Sequence, residues 1–163
     1  MKAFAGLASF ALAVLMMMAG ASFAAQLQPW KGNAQGHDVG VDAGGSIHIV
    51  FGGESSHMGR YSAVGRHRVN NNLEFSGSAT FTAANGDTLD VTYEGSVSLA
   101  VNPPTISGTM TVVGGTGNFK NAIGEADFDG EDTGFGVFEF DFDGKLGTKD
   151  KNEAARLIKG STQ

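Results

Sequence analysis

Apolar and polar residues alternate with a period of two over much of this chain. Phe138, Phe140 and Phe142 alternate with Glu139, Asp141 and Asp143. The segment before them sets Ala126, Phe128 and Gly130 against Glu125, Asp127, Asp129 and Glu131. Farther back, Leu73, Phe75 and Gly77 share one face, and Glu74, Ser76 and Ser78 share the other. Successive side chains of a β-strand point to opposite sides, so each run is a strand with one apolar and one polar face. The pattern predicts strands over 39–41, 46–51, 59–69, 73–83, 88–99, 105–113, 123–132 and 135–145.

The breaks between these runs have chemical causes. Asn70-Asn71-Asn72 tolerates left-handed backbone, and Asn85-Gly86-Asp87 is a hairpin turn signal. Pro103-Pro104 cannot donate to a strand ladder and ends one, while Asp132-Thr133-Gly134 offers a further tight turn. Strands spaced by about 10 to 15 residues and joined by short turns predict an all-β fold. The expected architecture is an antiparallel meander closed into a six- to eight-stranded barrel. Its phenylalanines then either fill the interior or line an apolar ligand cavity, with Phe128, Phe138, Phe140 and Phe142 as the candidates. Trp30 reads as a packing anchor for the first strand. Only the last stretch changes period. Ala154, Leu157 and Ile158 follow helical spacing, with Asp150 to cap the start and Gly160 to stop it. Residues 149–163 therefore read as a short helix or a tail.

The N-terminus carries a different signal. Lys2 precedes an apolar, uncharged run over 4–19, and Ser22-Phe23-Ala24 supplies small residues for cleavage before Ala25. That run, about 16 residues, is shorter than the roughly 20 that span a bilayer. The expectation is a signal peptide over 1–24 and a single domain over 25–163, secreted or periplasmic, with no membrane anchor after cleavage. Met16, Met17 and Met18 belong to that leader. With Lys2 removed, ten Lys and Arg remain of the eleven in the chain, against seventeen Asp and Glu. This acidic balance argues against nucleic acid as a partner. The chain has no cysteine, so no disulfide staples the exported domain and its stability must come from packing and pairing.

Candidate chemistry gathers around Glu54, His57, Arg60 and Tyr61, with His48, Arg66, His67 and Arg68 close by in sequence. A histidine oriented by a carboxylate suits acid–base work near neutral pH, and Arg60 suits a carboxylate or an oxyanion. The alternative is that His57 and Arg60 hold the start of a strand in place. No Gly-x-Ser-x-Gly elbow supports serine chemistry. His48 and His57 are not spaced as a compact zinc pair. The acidic pairs Asp127/Asp129 and Asp141/Asp143 are calcium candidates, because clustered carboxylates repel and a cation relieves them. Their glycines arrive too early for an EF-hand loop, and a solvated acidic face is the alternative. No cofactor is expected.

One more stretch joins the predicted sixth and seventh strands: Gly114-Gly115-Thr116-Gly117-Asn118-Phe119-Lys120-Asn121-Ala122-Ile123-Gly124. It resembles the Gly-Gly-Thr-Gly-x-Phe-x-x-Ala-x-Gly signature of the allene oxide cyclase and dirigent β-barrels and of small secreted bacterial proteins that share it. The basic residue usual at the place of Asn118 stands two positions later, at Lys120. Ala84-Asn85-Gly86-Asp87-Thr88-Leu89 is similar to a hairpin of the bacterial members, and His57-Met58-Gly59-Arg60-Tyr61 to their strand start. The resemblance spans about residues 47–146. It implies Gly114, Gly115, Gly117, Phe119, Asn85 and Gly86 as structural loop positions, and a barrel with an apolar interior. The plant relatives include a cyclase of a fatty-acid epoxide and proteins that steer the coupling of phenolic radicals. Three function classes follow: a barrel binding a small apolar or aromatic molecule, a cyclase or isomerase, and a structural or interaction module. The relatives that the chain resembles often assemble, so the resemblance leaves room for a homo-oligomer.

Overall fold

Eight strands close into one antiparallel barrel in the computed structural model, which describes residues 26–134 and 136–148. The strands are β1 (Gln28–Val41), β2 (Ile47–Ser55), β3 (Gly59–Val69), β4 (Glu74–Ala83), β5 (Thr88–Ser98), β6 (Thr105–Gly115), β7 (Ala122–Gly134) and β8 (Val137–Thr148). Each pairs with its neighbour in sequence, and β8 pairs with β1 from Gln28↔Leu146 to His37↔Val137, so no strand edge is left bare. A single 3-10 turn, Gly117–Phe119, interrupts the β6–β7 connection. The all-β barrel expected from the alternation is therefore what the chain forms, at the upper strand number.

The strand predictions differ from the structure in informative places. β3 has both ends where the pattern puts them. β1, expected only over 39–41, begins at Gln28. Its inward positions are Trp30, Gly32, Ala34 and Gly36, and all but the first are too small to show an apolar rhythm. They are small because large neighbours occupy the space: a Cβ on Gly32 would overlap the Phe142 ring, and one on Gly36 would overlap Phe51. β2 continues through Gly52-Gly53, beyond the expected end at Phe51. There a Cβ on Gly53 would overlap the carbonyl oxygen of Asn33 on β1. Leu73, expected in β4, lies in the preceding turn with φ 62°. Phe135, placed first in the eighth strand, the leader over 1–24 and the C-terminal helix over 150–159 lie outside the described residues.

The two ends of the barrel are built differently. At one end Trp30, Phe81, Leu89 and Val91 are fully buried, and Tyr61, Phe142, Val112 and Leu146 pack among them. Phe81 sits at the centre, with ring centroids 4.9 Å from Tyr61, 5.3 Å from Phe51 and 6.3 Å from Trp30. The β6–β7 loop and the β4–β5 hairpin cover this end together. Asp87 accepts the Asn118 N–H at 3.0 Å and the Asn85 side-chain N–H at 2.9 Å, while Thr88 N–H donates to Thr116 Oγ1 at 2.9 Å. Gly117 lies against the Asp87 carboxylate with φ 55°, leaving no room for a Cβ, and Phe119 buries its ring beneath. This explains why glycines, Asn85 and Phe119 stand where they do.

Candidate functional site

The other end of the barrel is open. Inward residues there come from the last turns of β1, β3, β5 and β7 and the first of β2, β4, β6 and β8. They enclose a cavity of about 180 Å³ whose wall is mainly apolar. The wall is aromatic because glycines let the rings lie flat on it. A Cβ on Gly95 would stand 2.7 Å from the Phe75 ring, and one on Gly108 would stand 2.6 Å from the Phe128 ring. Gly36 is similarly covered by the Phe138 ring. Aromatic side chains laid over glycines on the neighbouring strand stabilise the pair, and here they also keep the rings out of the barrel's centre.

The rings form a continuous collar. Phe138 stacks on Phe140 at 6.2 Å, Phe140 meets Phe128 at 5.4 Å, and Phe128 meets Phe75 at 6.2 Å. His67 and Tyr93 follow, 5.6 and 6.3 Å from Phe75, and Phe51 closes on Phe140 at 5.9 Å. Ile47, Ile49, Val97 and Ile106 fill the gaps. Around the rim, Val39, Val41, Leu99 and Val101 leave apolar side chains exposed.

Four polar side chains enter this collar: Asp38, His67, Tyr93 and Asp132. The Tyr93 hydroxyl and His67 Nδ1 are hydrogen-bonded at 3.1 Å. Burial pushes the His67 pKa below its ordinary 6.5, against the smaller pull of the Asp38 charge, so the ring is neutral at neutral pH. Burial, then the Asp38 charge, pushes the Tyr93 hydroxyl up. Asp38 is itself pushed up by burial, and Asp132 adds to the shift while His67 and His37 oppose it. Period-two parity carries both acids inward, since Asp38 continues the Trp30 to Gly36 face and Asp132 the Ala122 to Gly130 face. Register shifts fall at Asp38/Gly40 and Asp132/Gly134, where bulges bend the strands beneath the two carboxylates.

The neutral His67 has a measurable consequence. In the pH interval between its lowered folded value and 6.5, the unfolded chain takes up a proton there that the folded chain does not. Stability therefore falls as pH drops through 6.5, and the loss levels off below the folded value. The thermal midpoint should fall less steeply from pH 7 to about 5 in His67→Gln than in the unsubstituted protein. Equal slopes would show that His67 titrates alike in both states.

The residues singled out from the sequence lie in three places. Phe128, Phe138 and Phe140 line the cavity, whereas Phe142 is buried at the packed end, 5.0 Å from Trp30. Glu54, His57, Arg60 and Tyr61 are not brought together around a cavity. They lie at the packed end, where the exposed Glu54 and Arg60 approach to 3.9 Å on the outer face. His57 Nε2–H donates to the Pro29 carbonyl at 2.8 Å, and the buried Tyr61 hydroxyl donates to the Asn33 carbonyl at 2.7 Å. Both tie β1 to the β2–β3 hairpin, the strand-holding role. Asp127, Asp129, Asp141 and Asp143 face outward, with Asp127 opposite Asp143 and Asp129 opposite Asp141. Thr109 donates to Asp127 at 3.0 Å and Lys31 to Asp143 at 2.7 Å, easing the repulsion. Among the described residues no group of three or more His, Cys, Asp or Glu is arranged to hold a metal ion.

Asp38, Tyr93 and Asp132 were not candidates from the sequence, and His67 was only a neighbour of the His57 group. Their signal was parity. Leu89, Val91 and Tyr93 share a face, as do Tyr61, Ala63, Gly65 and His67. Comparison of the chain with family models, with curated proteins and with solved structures finds no match.

Proposed function

We propose that this is a secreted barrel that binds a small apolar or aromatic molecule in the cavity at its open end. The observation that carries the reading is the collar of rings around about 180 Å³ of space, reached from solvent across an apolar rim. A dry, apolar cavity of about 150 Å³ is known to accept benzene, whereas drug-sized ligands occupy about 300 Å³ or more. The fitting body is thus one ring or a short alkyl chain. The signal-like leader and the resemblance to allene oxide cyclase and dirigent barrels support the same reading. The His67–Tyr93 pair favours a second one, an isomerase or cyclase. A neutral imidazole can accept a proton, and a phenol can donate a hydrogen bond to a substrate oxygen.

Native mass spectrometry of the protein purified gently from an exporting host tests the binding reading. The expected spectrum shows a chain beginning at Ala25 with a small non-covalent adduct. Ile106→Trp, which fills the cavity from β6, should lose that adduct. An adduct retained in Ile106→Trp would place the ligand elsewhere, and a bare mass from every preparation would count against the reading.

A further inference from the structure

We propose that the ligand is an amine, with its apolar body within the aromatic collar and its protonated nitrogen between Asp38 and Asp132. The proposal rests on the binding reading above and narrows it to one chemical class. The charge at the mouth is of one sign: Asp38 and Asp132 line the cavity, and no Lys or Arg does. His67 supplies no compensating charge while it is neutral. The ion pairs among the described residues are Lys31–Asp143, His48–Asp42 and Arg60–Glu54, none of which involves either acid of the mouth.

Each carboxylate is positioned by backbone. The Asp38 N–H donates to the Gly136 carbonyl at 2.8 Å, anchoring β1 to the start of β8. The Asp132 N–H donates to the Pro104 carbonyl at 2.9 Å, and its Oδ1 takes the Gly134 N–H at 2.8 Å. These bonds leave carboxylate oxygens available to a ligand. The Asp132 charge adds to the cost of ionising Asp38, and a cation at the mouth relieves it. An anion would meet repulsion from the same pair. The ring faces of Phe75, Phe138 and Phe140 add cation–π attraction for a nitrogen that approaches them. An apolar body with one positive end satisfies the wall and the mouth together.

Calorimetric titration of the purified protein with three phenylalkyl ligands of similar size tests this: phenethylamine, 2-phenylethanol and 3-phenylpropionate. Near neutral pH they carry positive, zero and negative charge. The amine should bind about tenfold tighter than the alcohol, because a cation is attracted to both carboxylates where a hydroxyl only donates to one, and the propionate should bind weakest. The double variant Asp38→Asn/Asp132→Asn should bind amine no better than alcohol. If that variant does not fold, the ranking on the unsubstituted protein decides. Alcohol binding as tight as amine binding would overturn the amine assignment and leave the cavity reading standing. Failure of all three to bind would overturn both.

Discussion

Phe81→Ala is expected to lower unfolding stability by about 3–5 kcal/mol, the range for removing a fully buried aromatic ring from a protein core. Phe81 has no exposed surface, and Tyr61, Phe51 and Trp30 all lean on its ring. Removing it leaves a void that strands locked into a closed barrel cannot collapse to fill. Phe140→Ala should cost less. Its ring is only half-buried and faces the cavity, so fewer packed neighbours are lost. Denaturant unfolding of the two variants gives the comparison. A Phe81→Ala loss under about 1 kcal/mol would mean that the packed end is not the stabilising core.

The second large effect concerns a glycine. A Cβ on Gly108 would overlap the Glu94 carbonyl oxygen and stand 2.7 Å from Gly95 Cα and 2.6 Å from the Phe128 ring. Two of those neighbours are backbone of β5, so relief requires β5 and β6 to part or Phe128 to swing into the cavity. Overpacking of this kind costs about 1–3 kcal/mol, occasionally more. Gly108→Ala should therefore be destabilised by that amount and also lose ligand space. Gly114→Ala is the control, because a Cβ there meets nothing within 4 Å. It should be neutral or slightly stabilising. Equal losses in the two variants would show that glycines on the wall are not there to make room for rings.

These glycines also mark how far the sequence could be read. Alternation in Phe138, Phe140 and Phe142 was enough to place an aromatic face inside a barrel. Seven of the eight strands after the leader were legible over most of their length. β1 was not, since its inward Gly32, Ala34 and Gly36 are shaped by partners far away in the chain. Whether the interior is hollow depends on which glycine lies opposite which phenylalanine. That is a matter of register between strands, such as Gly95↔Phe75 and Gly108↔Phe128, and no single segment contains it. The candidate site was missed for a related reason. Asp132 falls in the Asp132-Thr133-Gly134 turn signal, which masks its inward parity, and Asp38 lies just before the stretch 39–41 expected as the first strand. Clustering in sequence drew attention to Glu54, His57 and Arg60 instead, although adjacent residues on a strand face opposite ways.

A crystal structure under xenon pressure tests the central claim most directly, because xenon enters apolar space without needing a hydrogen-bond partner. One ordered xenon site is expected at the open end, among Phe75, Phe128 and Phe140, and none among Trp30, Phe81 and Leu89. Absence of xenon at the open end, or phenylalanine rings closed across the collar, would contradict it.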